Sequence, residues 1–163
     1  MTDPIEGRAW RFGSDVDTDV IIPSDHMRKP PEEYAKFAME PVAPDFAASV
    51  EEGDIIVAEQ HFGIGSSREQ AAIALKLCGV RAIVAESFGR IFYRNAINQG
   101  LLAATADASV IATITDGDEL RISPDAGTIE NKTTGETEVF DRLEEPIRSI
   151  YRAGGAKAYY SKK

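Results

Sequence analysis

Cysteine, histidine and cationic side chains are scarce in this 163-residue chain, and each scarcity closes off a class of chemistry. The lone thiol, Cys78, can neither form an internal disulfide nor complete a cysteine-built zinc or iron–sulfur site within the chain. The two histidines, His26 and His61, lie far apart with none of the spacing of a metal site, so no metal ligand set is predicted. Lys and Arg number 18 against 27 Asp and Glu, for a formal net charge of −9. Such an excess of carboxylates repels phosphates, which argues against nucleic acid and anionic membrane as partners. No apolar run approaches the ~20 residues of a membrane span. The start, Met1-Thr2-Asp3-Pro4, lacks the basic and apolar regions of a signal peptide, and a cytoplasmic protein is expected.

What the chain does have is apolar residues, 43% of the total, enough for one sizeable core and a single domain over 1–163. Arg8 to Phe12 reads as a first strand. Asp17 to Pro23 reads as a loop feeding a short apolar strand, and Pro31 to Met39 and Asp45 to Val50 as helical pieces. The middle alternates: strand Asp54 to Ala58, helix Arg68 to Cys78 stopped by Gly79, strand Arg81 to Ala85, helix Ser87 to Gln99, strand Leu101 to Thr105. That order predicts right-handed crossovers and a parallel sheet. Beyond Asp107 the short runs Val110 to Ile114, Glu119 to Ile122, Thr128 to Asn131 and Glu136 to Phe140 predict antiparallel strands, and Leu143 to Arg152 a closing helix. Lys162-Lys163 reads as a frayed tail. The fold class is α/β, a mostly parallel central sheet with helices plus an antiparallel C-terminal β portion.

The most informative stretch is Gly63-Ile64-Gly65-Ser66-Ser67-Arg68-Glu69, between a strand and a helix. The first amides of a helix have no intrahelical partners, and with the helix dipole they favour an anion. Arg68 adds a guanidinium that can grip a carboxylate bidentately, and Ser66 and Ser67 add hydroxyls able to donate, accept or act as a base. In a chain so acidic, Arg68 and Arg28 stand out as local cations for a small, negatively charged substrate. Dinucleotide binding competes: Gly63 and Gly65 match two fingerprint glycines, and Glu86 stands where a ribose-binding acid belongs. Arg68 fills the third glycine's place, however, and too little parallel α/β flanks the motif. A bland third reading makes the turn merely tight and Arg68 a solvated residue.

Gly65-Ser66-Ser67-Arg68-Glu69 resembles the GSSRE signature of the swivelling domain of the aconitase superfamily. Thr18-Asp19-Val20-Ile21-Ile22-Pro23 is similar to that family's TD-x-I-x-P motif, and Ser87 to Leu101 to its SFARIFYRNAINxGL segment. The three occur in order, spread over most of the chain. The resemblance implies a swivelling β/β/α domain of aconitase type, free-standing as the small subunit of an isopropylmalate isomerase in leucine biosynthesis. Homoaconitase-type and dimethylmalate-type substrates are the alternatives, and a non-catalytic binding module of the same fold is a second. Such enzymes dehydrate and rehydrate a hydroxy di- or tricarboxylate. In the family a [4Fe–4S] cluster binds the substrate hydroxyl as a Lewis acid; here a large-subunit partner is expected to hold it, and this chain alone is expected to be inactive. By motif position, Ser66 is the implied base, Ser67 and Arg68 hold substrate carboxylates, and Asp19 lies on the active-site rim as a catalytic residue. His26, Met27 and Arg28 occupy the place of the loop that touches the substrate's variable substituent. An arginine there suits an extra carboxylate, and an apolar residue suits an isopropyl group.

The chain departs from the family's NFGCGSSREH at His61, Ile64 and Gln70. Ile64 removes a thiol near the site, and His61 is read as a structural cap rather than a polar replacement. Gly89 stands where the family has alanine; in a helix it lowers propensity by ~1 kcal/mol, which suggests a close contact. Cys78, ending an apolar helix before Gly79, reads as a buried structural thiol.

Overall fold

The computed structural model describes residues 2–65 and 68–161. Strand β1 (Ile5–Arg11) is followed by three short helices, α1 (Thr18–Ile21), α2 (Pro31–Tyr34) and α3 (Phe46–Ser49). Then come β2 (Ile55–Ala58), α4 (Glu69–Cys78), β3 (Ala82–Ala85), α5 (Arg90–Asn98) and β4 (Leu102–Thr105). Helix α6 (Ala108–Ala112) leads to β5 (Glu119–Ser123), β6 (Thr128–Asn131) and β7 (Thr137–Val139), and α7 (Ile147–Arg152) and α8 (Ala156–Ser161) close the chain. The strands form one sheet in the order β4-β3-β2-β1-β5-β6-β7.

Strand β1 joins two halves of opposite character. Its end, Ala9 to Arg11, pairs parallel with Ile55 to Val57, and its start, Ile5 to Arg8, pairs antiparallel with Glu119 to Ile122. β2, β3 and β4 continue the parallel half, while β5, β6 and β7 form an antiparallel meander. Burial explains the difference in composition. All four residues of β2 and of β3 are buried, as strands covered on both faces require, whereas β5 alternates, with Leu120 and Ile122 inside. Each fully buried Ile or Val contributes roughly 1.5–3 kcal/mol.

Helix α4 packs on α5, α1, α2 and the 3₁₀ turn Ala35–Phe37. Its inner face carries Ala71, Ala72, Ala74 and Leu75, all fully buried, and the small alanines let the helix approach closely. Gly79 ends it in a left-handed conformation and donates its N–H to Leu75 and Lys76 carbonyls. Asp54 is buried at the entry to β2, where its carboxylate accepts from Arg8 N–H (3.0 Å), Trp10 Nε1 (2.9 Å) and Glu51 N–H (3.0 Å). That network ties β1 to the turn before β2. Among the described residues no helix is long and apolar enough to cross a membrane.

Four sequence expectations are corrected. Val20 to Ile22 is not a strand: Asp17 accepts from Val20 N–H (3.0 Å) and caps α1 instead. Val110 to Ile114 is not a strand either but lies largely in α6, with Val110, Ile111 and Ile114 buried and Ala112 exposed. Burial at i, i+1 and i+4 is a helical face, which a five-residue apolar run does not separate from a strand. Ser87 to Gly89 is extended, and α5 starts only at Arg90. Residues after Gly155 form α8, a helix the sequence reading omitted. Lys162 and Lys163 lie outside the described residues.

Candidate active site

Because β1 to β4 run parallel, the loops that leave them gather at one end of the sheet. Backbone bonds lace these loops together. Gly63 N–H donates to Val16 O (2.6 Å), Thr18 N–H to Ile64 O (2.9 Å), Phe62 N–H to Ser87 O (3.0 Å) and Gly89 N–H to Phe62 O (2.9 Å). Gly63 takes φ +81°, and a Cβ added there lies 2.3 Å from Phe92 Cγ. Gly89 needs no unusual φ, but its Cβ falls 2.5 Å from Gly63 O. The close contact expected at Gly89 is therefore present, although the residue precedes the helix and carries no interior propensity penalty. Beneath the turn, Phe62, Phe88 and Phe92 pack ring against ring, with centroids 5.4–6.4 Å apart.

On this floor stand two of the expected site residues. Arg68 is the N-cap of α4, and its guanidinium pairs with the Asp19 carboxylate from the first turn of α1. The Arg68 side chain is only 20% exposed, while Asp19 is 65% exposed. A cation at a helix N-terminus opposes the dipole, and Asp19 supplies the compensating charge. The pair amounts to a carboxylate-binding guanidinium already holding a carboxylate, on the solvent side of a walled turn. Ser66 and Ser67 lie outside the described residues.

The loop residues divide. His26 stacks on Phe37 (centroids 3.6 Å apart), and Lys29 donates to its Nδ1 (2.9 Å) while sitting 4.4 Å over the same ring. Met27 packs against the core, and Arg28 is exposed. Among the described residues no hydrogen bond or ion pair joins His26, Met27 or Arg28 to Arg68 or Asp19. His61, with φ +62°, pairs through Nδ1 with Asp15 Oδ1 (2.8 Å), and its N–H donates to Ser87 Oγ (2.8 Å). It thus braces two loops and caps no helix. Sequence reasoning missed Asp17, whose signal was an acid directly before the three-residue step to Val20, and missed the Gly63–Phe92 contact, which has no local signal.

Dinucleotide binding loses support on topology. The strands β1, β2, β3 and β4 advance in one direction with no reversal of order, so the parallel half has no switch-point crevice, and Glu86 simply continues the β3 pairing through its N–H to Glu59 O (3.2 Å). A groove of about 820 Å³ is lined by Tyr93, Thr105, Asp141, Arg142, Glu145 and Arg148 among others, none of them on the turn. Asp141 accepts from Thr105 (2.9 Å) and Arg148 is held by Glu145 (2.9 Å), so this groove does not favour an acidic substrate.

The donor set does not fit an iron–sulfur cluster. Cys78 is the single thiol, its Sγ donates to Ala35 O (3.3 Å), and burial pushes its pKa up to about 11, away from the thiolate a cluster needs. Among the described residues no group of three or more His, Cys, Asp or Glu side chains is placed to hold a metal ion.

Comparison with known proteins gives a consistent result. The Aconitase C-terminal domain family matches residues 25–109. The chain is 47% identical over 154 residues to the 3-isopropylmalate dehydratase small subunit of Heliobacterium modesticaldum, covering 94% of this chain and 92% of that one. It is 45% identical to the isopropylmalate/citramalate isomerase small subunit of Methanocaldococcus jannaschii, covering 100% and 97%. It is 49% identical to the methanogen homoaconitase small subunit of Methanothermobacter thermautotrophicus, covering 97% and 91%. The crystal structure of the 3-isopropylmalate dehydratase from M. jannaschii superposes with a TM-score of 0.93 at 45% identity, covering 98% of this chain and 95% of that one.

Proposed function

We propose that this chain, which belongs to the aconitase C-terminal domain family, is the small subunit of a hydro-lyase that interconverts 2-isopropylmalate and 3-isopropylmalate. Residues 1–163 act as one cytoplasmic swivel-type domain, active only in complex with an iron–sulfur large subunit. The [4Fe–4S] cluster belongs to that partner, since this chain has a single cysteine and its described residues offer no ligand set.

The reaction removes a proton from the carbon beside one carboxylate and the hydroxyl from its neighbour, then returns water in the opposite sense. Three tasks fall to this chain. Arg68 exchanges Asp19 for a substrate carboxylate and fixes the orientation of the carbon that loses its proton. Ser67 adds a hydroxyl to the same carboxylate. Ser66, two positions before Arg68 in the sequence, takes the proton; a cation and free helix amides are the chemistry that favours a serine alkoxide. Asp19 stays at the rim and re-pairs with Arg68 when product leaves. Met27, with His26 and Arg28, faces the variable substituent. The observation that carries this reading is the Arg68–Asp19 pair on the glycine turn at the carboxyl end of the parallel strands.

A second reading takes a substrate with an additional carboxylate, as in homoaconitate. It is favoured by Arg28, exposed and without an ion-pair partner among the described residues, and by the homoaconitase relative. Anaerobic reconstitution with the iron–sulfur large subunit from the same genome separates the two. Hydration rates are compared for isopropylmaleate, homoaconitate and dimethylmaleate. Preference for isopropylmaleate supports the first reading and preference for homoaconitate the second. No hydration of any of them by a stable complex with an intact cluster contradicts both.

A further inference from the structure

Two side chains that the proposed chemistry does not use meet at the root of the site. Asp15 lies four positions before Asp19, and His61 seven positions before Arg68. Both take the left-handed backbone conformation, at φ +58° and +62°. Residues with a Cβ rarely do so, and elsewhere among the described residues glycine fills such places, Met39 excepted. Met39 is fully buried, so packing in the core accounts for it. Packing does not account for Asp15 and His61, whose side chains are 62% and 55% exposed. Glycine in either place would satisfy the backbone, so the two side chains supply something else.

They supply a link between loops. His61 Nδ1 lies 2.8 Å from Asp15 Oδ1, and because a carboxylate only accepts, Nδ1 carries the hydrogen. An exposed pair of this kind adds little to stability. Its place in the fold is what sets it apart. Asp15 N–H donates to Gln60 O (2.8 Å), and from there the chain leaving β1 and the chain leaving β2 run side by side. Gly63 N–H to Val16 O (2.6 Å) and Thr18 N–H to Ile64 O (2.9 Å) are the next rungs, and beyond them Asp19 pairs with Arg68. His61 also holds the loop after β3, its N–H donating to Ser87 Oγ (2.8 Å). The Asp15–His61 bond is thus a side-chain rung where three site loops meet.

We infer that Asp15 and His61 are positioning residues. Their bond fixes the loop carrying Asp19 against the turn carrying Arg68, so that the guanidinium meets a substrate carboxylate in one orientation. The inference rests on the hydro-lyase reading above. His61 is also a position at which the chain departs from the family pattern, which has asparagine there. Asn carries its side-chain nitrogen two bonds from Cβ, as His carries Nδ1, and it tolerates the left-handed conformation. It can therefore form the same rung, whereas glycine keeps the backbone and loses the rung.

The test compares His61→Gly, Asp15→Gly, the double variant and His61→Asn in the full-length chain. Each is assembled anaerobically with the cluster-loaded large subunit for turnover, and each is followed alone by thermal unfolding and amide hydrogen exchange. Glycine relieves the backbone, so Tm is expected to stay within about 3 °C of wild type. In either glycine variant kcat for the preferred substrate falls about tenfold, while KM stays within about twofold because Arg68 keeps its charge. The Thr18 and Gly63 amides exchange about tenfold faster. The double variant is no worse than the single ones, and His61→Asn returns both readouts to within about threefold of wild type. Losses that multiply in the double variant overturn the inference, because loosened backbone and not the bond then accounts for them. Unchanged turnover and exchange in the glycine variants overturn it as well. So does a loss of turnover that His61→Asn does not restore, which makes the imidazole itself the needed group. A wild-type complex that hydrates no substrate contradicts the hydro-lyase reading instead, and the exchange rates then decide whether the rung fixes the loops.

Discussion

Replacing Gly63 by alanine tests the architecture of the turn directly. Two separate penalties act there. A residue with a Cβ at φ +81° pays about 1–2 kcal/mol for the left-handed conformation. The new methyl also falls 2.3–2.6 Å from Cγ, Cβ and Cδ2 of Phe92, a side chain that is itself 1% exposed and held between Phe62 and Phe88. Overpacking of this kind costs about 1–3 kcal/mol. The sum, about 2–5 kcal/mol, corresponds for a chain of this size to a fall in Tm on the order of 5–15 °C. Gly135→Ala is the matched control, because Gly135 has φ +83° with nothing within 4 Å of its added Cβ. It incurs only the conformational penalty, roughly two-fifths of the combined effect. Both variants are followed by circular dichroism on heating. A Gly63→Ala protein that melts together with Gly135→Ala refutes the claim that Phe92 holds the turn in place.

Other perturbations follow from the same geometry. Arg68→Ala removes a charge-assisted grip worth about 1.5–3 kcal/mol, so KM of the assembled enzyme rises roughly tenfold to a hundredfold, and Arg68→Lys falls between; an unchanged KM in steady-state assays contradicts the carboxylate role. Asp54→Ala strands three donors, Arg8 N–H, Trp10 Nε1 and Glu51 N–H, and lowers unfolding free energy by about 3–5 kcal/mol in urea titrations; a loss under 1 kcal/mol shows that the network is dispensable. Burial pushes the Cys78 thiol up to about 11 from its ordinary value near 9, so the neutral form is favoured in the folded chain. Stability from this group is full below pH 9 and is lost as pH rises towards 11, a decline that Cys78→Ala flattens.

Legibility in the sequence tracked how local the determining physics is. β2 and β3 were readable because every residue is buried on both faces and the runs are uniformly apolar. α2 was readable from Pro31 at its start and α4 from Gly79 at its end, both being conformational requirements of single residues. Val110 to Ile114 was misread because four β-branched residues in five favour a strand, and only burial at i, i+1 and i+4 decides for the helix. α1 was misread because Asp17 captures the Val20 amide, which turns a strand-like run into a helical turn. At the site, the motif pointed to Arg68 and Asp19, and the fold pairs them across a separation of 49 positions. The engagement of His26 by Phe37 and Lys29, like the packing of Gly63 on Phe92, arises from tertiary contacts that no local pattern encodes.

The most direct test of the central claim is turnover by the reconstituted complex carrying Ser66→Ala. The account predicts that the variant binds the large subunit as the wild type does, while hydration of isopropylmaleate falls by about three orders of magnitude or more, the usual scale for losing an essential proton-transfer group. Undiminished turnover by an assembled, cluster-intact complex contradicts the assignment of the base and, with it, the claim that this chain contributes chemistry as well as binding.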